Sequence, residues 1–144
     1  QLSFIGDLSQ FDQDLIEQMK KSEHLTSCKG RDKNLDLVVA ASYGGRWDIV
    51  NAINEIKNQE TDILVTEETF SSFLSTSAFE DPDLCIRTGN EIRVSNFLLW
   101  QMAYSELYFP DILWPDFDDD KFESALMEYA KRSRRFGDKS NFQL

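Results

Sequence analysis

Two arginines and a hydroxyl group lie close together in the chain, in the stretch that begins at Arg87. Arg87 and Arg93 can each present a planar fork of donors to the oxygens of a phosphate group. Ser95 or Asn96 is placed to cap a following helix, whose free N–H groups and positive dipole end would face the same anion. These residue types predict an anion site, although two arginines near a helix start are also common as surface salt bridges.

A carboxylate follows an almost wholly apolar stretch. Residues 97–104 are apolar at every position except Gln101, a pattern typical of a helix that is buried on nearly all sides. Glu106 comes two residues later, and a carboxylate in such surroundings is costly to bury unless it is paired or bound to a cation. We therefore expect Glu106 either to bind a metal ion or to form a salt bridge with a nearby arginine.

The elements that must position these residues alternate between strands and helices. The spacing of apolar residues predicts strands at 2–5, 35–41, 84–86 and 107–109, and helices at 11–25, 47–58, 66–74, 97–104 and 122–132. The run LDLVVAA has the near-continuous apolar composition of a strand that is covered on both faces of a parallel sheet. We predict an α/β fold with a mainly parallel central sheet flanked by helices.

Two further motifs have both a functional and a structural interpretation. Gly44 and Gly45 lie between a predicted strand and a helix, a layout that lets backbone approach a ligand. They also suit an ordinary turn, and a nucleotide-binding module would need a fuller glycine fingerprint. The run DFDDD at 116–120 could bind a metal, but DKFE at 120–123 has the spacing of a capping box, so we interpret the run as a helix start.

The chain has 144 residues, is 41% hydrophobic and carries a formal net charge of −11. This is enough for one modest domain with a core, so we predict that residues 1–144 belong to a single domain. The negative charge argues against nucleic acid as a partner, because such binding needs a positive surface. Basic residues concentrate near the end of the chain, at Lys131, Arg132, Arg134 and Arg135. They could bind a small anion, or they could lie at the carboxyl end of a helix, where the dipole favours positive charge.

Cys28 and Cys85 have neither metal-ligand spacing nor a secretory context. We therefore predict a reduced, cytoplasmic protein. No apolar run reaches the roughly eighteen residues that a membrane-spanning helix needs, so at most a peripheral association with the inner face of the membrane is expected.

The stretch that contains the two arginines also resembles the signature of the cis-prenyltransferase family. That family writes it approximately as IRTSGE or IRTGGE, then R-(I/L)-S-NFLLWQ-(I/L)-AYAELYF and LWPDF. This chain has IRTGNEIRVSNFLLWQMAYSELYF and LWPDF. The resemblance covers most of the chain, because FIGD at 4–7, SYGGRWDIV at 42–50 and RRFGD at 134–138 also have counterparts. It is strongest to the bacterial members that make undecaprenyl diphosphate.

The resemblance implies an enzyme that uses Mg²⁺ and condenses isopentenyl diphosphate onto farnesyl diphosphate, towards the lipid carrier of bacterial wall synthesis. Fixed cationic groups and a metal ion suit this reaction, because charge builds on the oxygens of the departing diphosphate. The resemblance further implies that Arg87, Arg93 and Ser95 bind the diphosphate of isopentenyl diphosphate with help from the backbone of Val94. Glu106 matches the family's magnesium-binding glutamate.

The resemblance also implies a homodimer, in which Arg135 and Gly137 reach towards the active site of the neighbouring subunit. The chain departs from the family's pattern at Ser42, where the family has asparagine, at Ile92, where a histidine is frequent, and at Asp138, where a second glycine is common.

One family motif has no counterpart in the sequence. The motif MDGN-x-RWA supplies the family's catalytic, magnesium-binding aspartate. We therefore expect that the chain is the carboxyl-terminal part of a longer enzyme and is inactive by itself. The alternative is a non-catalytic partner subunit, as in eukaryotic relatives, although such a subunit would not need the whole anion site.

Overall fold

The computed structural model describes residues 1–27, 35–60 and 62–132. The chain divides into two compact units, Gln1–Glu80 and Asp81–Leu144. The single domain expected for residues 1–144 stays a prediction.

The first unit alternates strands with helices. Its described residues form β1 (Leu2–Ile5), α1 (Gln13–Thr26), β2 (Leu37–Ala40), α2 (Gly45–Lys57) and α3 (Glu67–Ser71). β1 and β2 are parallel, with Leu2 opposite Leu37 and Ile5 opposite Ala40. Every strand and helix predicted for this unit is confirmed, with ends that differ by a few residues.

Side chains of α1 contact the backbone of β1. Glu23 accepts a hydrogen bond from the N–H of Phe4 at 2.8 Å, and Thr26 accepts one from the N–H of Leu2 at 3.0 Å. Because these donors are already satisfied, α1 closes this part of β1 to pairing with another strand.

The turns that follow β1 and β2 pass close to each other. Gly6 has a φ of 116°, and a Cβ atom there would lie 2.1 Å from the carbonyl oxygen of Ala41. The N–H of Asp7 then donates to the carbonyl of Ser42 at 3.2 Å. Glycine is required at this crossing, because any side chain would displace the neighbouring backbone.

The second unit contains β3 (Leu84–Ile86), β4 (Glu106–Tyr108) and α4 (Asp119–Lys131). β3 and β4 are parallel, with Leu84 opposite Glu106 and Ile86 opposite Tyr108. Both strand pairs among the described residues are thus parallel and accompanied by helices, which confirms the predicted α/β fold class. None of the helices in the described ranges combines the length and apolar character that crossing a membrane requires.

The aspartate-rich run 116–120 starts α4, as the capping interpretation predicted. The side chain of Asp118 caps the helix by accepting a hydrogen bond from the N–H of Lys121 at 3.0 Å. The predicted start at Phe122 and the predicted capping role of Asp120 are wrong, because the helix begins three residues earlier, at Asp119.

The helix predicted at 97–104 is wrong. Ser95, Asn96 and Leu98 have φ angles of 45°, 62° and 42°, and a right-handed helix cannot continue through this left-handed region. The segment consists of turns instead. Burial is also the reverse of the prediction, because Tyr104 is 71% exposed and Gln101 only 3%. Ser95 and Asn96 therefore cap no helix, and no helix dipole faces an anion at this place.

Candidate anion-binding site

The strand pair β3–β4 positions Arg87. The N–H of Arg87 donates to the carbonyl of Tyr108 at 3.0 Å, which extends the strand pairing by one residue beyond Ile86. The N–H of Gly89 donates to the carbonyl of Ile112 at 2.7 Å. The base of the arginine loop is therefore held by one backbone hydrogen bond to the last residue of β4 and one to the chain that follows it.

The guanidinium of Arg87 organises the loop. Its Nη1 atom donates to the hydroxyl oxygen of Ser95 at 2.8 Å and also to the carbonyl of Arg93. Two of the residue types that the sequence predicted for an anion site, a guanidinium and a hydroxyl, are thus in direct contact. An arginine held in this way is pre-oriented, so little side-chain freedom is lost when it binds a ligand.

Arg93 points its charge at a different partner. Its guanidinium forms an ion pair with Glu91, and its side chain is more than half exposed. Glu91 therefore orders the loop by pairing with Arg93. Because an exposed ion pair contributes little free energy, an anionic ligand can displace Glu91 from Arg93 at a small cost in free energy.

Val94 contributes backbone to the same turn. Its carbonyl accepts a hydrogen bond from the N–H of Phe97 at 3.1 Å. With Ser95 and Asn96 in the left-handed region, this bond bends the chain back towards Arg87. The turn therefore holds Ser95 beside the guanidinium without the helix start that was predicted.

The positive charge of Arg87 also acts on Cys85, two residues earlier in β3. Burial raises the pKa of the Cys85 thiol, and the nearby Arg87 offsets part of that rise. The thiol is therefore protonated and unreactive at neutral pH.

Glu106 forms a salt bridge, but with Arg132, 26 residues later in the chain, and not with one of the nearby arginines that were the predicted alternative to a metal ion. Its Oε2 atom lies 2.8 Å from Nη1 of Arg132, which also donates to the carbonyl of Leu107 at 2.9 Å. Arg132 directly follows α4 and was not among the predicted site residues. The concentration of basic residues near the end of the chain was the signal that could have found it.

Arg87 and Glu106 lie at opposite ends of the strand pair. Glu106 is opposite Leu84, the first residue of β3, whereas Arg87 follows Ile86, the last. At about 3.3 Å per residue, roughly 10 Å of strand separates the two levels. A ligand that touches both residues must therefore extend along the strands. Arg135 and Gly137 lie outside the described residues.

The residues present fit a metal ion only in combination with a ligand. In the described ranges no group of three or more histidine, cysteine, aspartate or glutamate side chains could hold an ion. Glu106 supplies one carboxylate, of which one oxygen is paired with Arg132. Mg²⁺ is commonly bound by one or two carboxylates together with phosphates of a substrate. Glu106 therefore suits an ion that arrives with a phosphate group.

The first unit contains a buried carboxylate that the sequence did not reveal. Asp48 is fully buried in the first turn of α2, where it accepts hydrogen bonds from the hydroxyl of Tyr43 and the N–H of Ser75, both at 2.9 Å. Gly44 and Gly45 open this helix, which supports the turn interpretation of the glycine pair. Asp48 is thus a structural anchor for the segment that contains the glycines.

Comparison with known proteins identifies related sequences over nearly the whole chain. A prenyltransferase family model described as "Putative undecaprenyl diphosphate synthase" matches residues 1–137. A ditrans,polycis-undecaprenyl-diphosphate synthase, (2E,6E)-farnesyl-diphosphate specific, from Yersinia pseudotuberculosis is 48% identical over 94% of this chain and 55% of its own length. An isoprenyl transferase from Nitrosomonas europaea is 47% identical over 92% of this chain and 50% of its own length. The chain thus spans about half the length of these curated relatives.

Solved structures resemble the chain as well. A probable undecaprenyl diphosphate synthase from Campylobacter jejuni matches with a TM-score of 0.84 and 34% identity, over 96% of this chain and 63% of that one. Lavandulyl diphosphate synthase from Lavandula x intermedia, in complex with dimethylallyl diphosphate, matches with a TM-score of 0.88 and 38% identity, over 96% and 60%.

Proposed function

Because the chain belongs to the undecaprenyl diphosphate synthase family of prenyltransferases, we propose that it forms part of a cis-prenyltransferase. The reaction condenses isopentenyl diphosphate onto farnesyl diphosphate and leads to undecaprenyl diphosphate, the lipid carrier of bacterial cell-wall synthesis. The name of the Yersinia relative, which specifies farnesyl diphosphate, supports this choice of substrate. The observation that favours the proposal most is the contact between Arg87 and Ser95 within the stretch that resembles the family's signature.

In this proposal Arg87, Arg93 and Ser95 bind the diphosphate of isopentenyl diphosphate. Arg87 supplies a charge-assisted hydrogen bond from a guanidinium that is already oriented by Ser95. Arg93 exchanges Glu91 for a phosphate oxygen, and the backbone of Val94 shapes the turn between them. Fixing the diphosphate in this way orients the reactive end of the substrate, which lowers the entropic part of the barrier.

Glu106 is the proposed protein ligand of Mg²⁺. The ion, when bound, neutralises negative charge on the diphosphate oxygens. The backbone of β4 positions Glu106, because the N–H of Glu106 donates to the carbonyl of Asp83 at 2.9 Å. The family's second magnesium-binding residue, an aspartate in the MDGN motif, has no counterpart in the sequence. We therefore propose that these 144 residues alone do not turn over substrate.

The remaining parts of the proposal concern partners and location. The complete enzyme is proposed to be a homodimer, with Arg135 and Gly137 of one subunit close to the active site of the other. It is proposed to be cytoplasmic, with at most a peripheral association with the membrane that receives its lipid product.

Product formation from labelled isopentenyl diphosphate tests the proposal. The chain is assayed with farnesyl diphosphate and Mg²⁺, first alone and then mixed with the part of the Yersinia relative that this chain does not match. We expect no product from the chain alone and polyprenyl product from the mixture. Calorimetry of the chain with isopentenyl diphosphate and with ATP, each with Mg²⁺, separates a prenyl diphosphate site from a nucleotide site. Preference for ATP, or turnover by the chain alone, would contradict the proposal.

A further inference from the structure

Arg132 links the end of α4 to the start of β4. Its Nη1 atom donates to the carboxylate of Glu106 at 2.8 Å and to the carbonyl of Leu107 at 2.9 Å. Its Nε atom lies 4.0 Å from the carboxylate of Glu128, one helical turn earlier. The guanidinium is therefore placed between two carboxylates and a carbonyl, which is the kind of oxygen-rich surrounding that a metal ion also prefers.

The charge of Arg132 opposes a metal ion at Glu106. A cation bound to this carboxylate would have to displace the guanidinium or lie next to it. Displacement breaks two hydrogen bonds, and proximity brings two positive charges together. Either way, Mg²⁺ alone binds Glu106 less readily than it would bind an unpaired carboxylate.

A diphosphate changes this balance. Its negative charges compensate Mg²⁺, and its oxygens can accept the guanidinium that the ion displaces from Glu106. Arg132 then exchanges the carboxylate of Glu106 for a phosphate oxygen, so its charge is never left unpaired.

We propose that Arg132 occupies Glu106 in place of a metal ion in the ligand-free chain, and that a magnesium diphosphate, but not Mg²⁺ alone, displaces it. This inference rests on the proposed function. It makes Arg132 a positioning residue that couples metal binding to diphosphate binding. Because Arg132 directly follows α4, the exchange also releases the carboxyl end of that helix from β4.

The first experiment measures the affinity of the full chain for Mg²⁺ alone by calorimetry. Arg132→Gln is expected to bind Mg²⁺ about fivefold to thirtyfold more tightly than the wild type, since it removes one charge close to a divalent ion in water-like surroundings. Arg132→Lys keeps the charge and is expected to bind Mg²⁺ as weakly as the wild type. Because unfolding would also separate Glu106 from its partner, affinities are compared only between variants that circular dichroism shows to be folded.

A neighbouring lysine provides the matched control. Lys131→Gln removes one positive charge, as Arg132→Gln does, but at the neighbouring residue. It leaves in place Arg132, which is the salt-bridge partner of Glu106. We expect this variant to bind Mg²⁺ like the wild type. The double variant Glu106→Gln with Arg132→Gln is expected to bind Mg²⁺ no more tightly than the wild type. Equal Mg²⁺ affinity of Arg132→Gln and wild type, with circular dichroism showing both folded, would overturn the proposal.

The second experiment follows hydrogen exchange at the end of α4, where the N–H of Arg132 donates to the carbonyl of Tyr129 at 3.0 Å. Inorganic pyrophosphate with Mg²⁺ is expected to speed exchange there in the wild type, and Mg²⁺ alone is not. Protection that stays unchanged while pyrophosphate binds would contradict the exchange of partners. If pyrophosphate does not bind at all, the proposed function fails, whereas the effect of Arg132→Gln on Mg²⁺ stands.

Discussion

Arg87 donates a hydrogen bond of 2.8 Å from its Nη1 atom to the hydroxyl of Ser95, eight residues later in the chain. This bond closes the arginine loop on itself and places a charged donor and a neutral hydroxyl side by side. The loop is therefore ordered before any anion reaches it.

The first prediction concerns this pair. Arg87→Lys is expected to weaken isopentenyl diphosphate binding by about tenfold or more, because lysine keeps the charge but loses the planar fork. Ser95→Ala is expected to cost less, about threefold to tenfold. Calorimetry of both variants and of the double variant measures their coupling.

In the double variant the loss of affinity is expected to be smaller than the product of the two single losses, since each change by itself already breaks the contact between Arg87 and Ser95. Lys57→Gln, an exposed charge change at the end of α2, serves as the control and is expected to have no effect. Fully additive losses would show that Arg87 and Ser95 act independently.

A second prediction follows from the raised pKa of Cys85. In a Cys28→Ser background, the pH at which iodoacetamide alkylates Cys85 at half its maximal rate is expected to lie above that of a free thiol, because burial raises the Cys85 pKa. Arg87→Gln is expected to raise this midpoint further, because it removes the charge that offsets the rise. A midpoint that falls in Arg87→Gln would contradict the placement of these groups.

The same shift has a consequence for stability. A thiol whose pKa is higher in the folded than in the unfolded chain stays protonated when the unfolded chain ionises. Its contribution is therefore fully present below the pKa of the unfolded thiol and is lost as the pH rises through the pKa of the folded thiol. Urea unfolding of the Cys28→Ser chain and of its Cys85→Ala variant over this alkaline range measures the difference.

A third prediction concerns the crossing at Gly6. Gly6→Ala is expected to lower the free energy of unfolding by about 3 kcal/mol or more, since the new Cβ meets backbone in a left-handed conformation. Gly89→Ala is the matched control, because its φ is also positive at 88° but its Cβ would have nothing within 4 Å. We expect Gly89→Ala to lower the free energy of unfolding by about 1 to 2 kcal/mol, because only the backbone strain acts there. Equal losses in urea denaturation would show that the Ala41 backbone yields freely.

A fourth prediction concerns Ser42, which has a φ of 48°. Asparagine adopts this left-handed region more readily than serine, so Ser42→Asn is expected to stabilise the chain by about 0.5 to 1 kcal/mol. Ser42→Gly removes the strain too but adds freedom to the unfolded chain, so it should gain less. A melting temperature that does not rise in Ser42→Asn would mean that the serine hydroxyl has a role of its own.

The segment 97–104 shows why one part of the prediction failed. Its residues are apolar nearly throughout, so the sequence lacks the alternation of polar and apolar positions that would distinguish a helix from other structure. The left-handed turn at Ser95 and Asn96 is set by the bond from Arg87, a contact that local composition does not contain. The strand at Leu84–Ile86, by contrast, was predicted with its observed bounds, since a proline-containing turn before it and the loop after it mark both ends.

The family, the strands, the helices other than the one expected at 97–104, and the residue types of the anion loop could all be predicted from the sequence, because they follow from local patterns and a long motif. The partner of each charge, by contrast, depends on the tertiary structure: Ser95 for Arg87, Glu91 for Arg93 and Arg132 for Glu106. The pair of Arg132 and Glu106 joins residues 26 positions apart, and their approach depends on how α4 returns to β4. Pairing of this kind is a property of packing in three dimensions, on which spacing along the chain places no constraint.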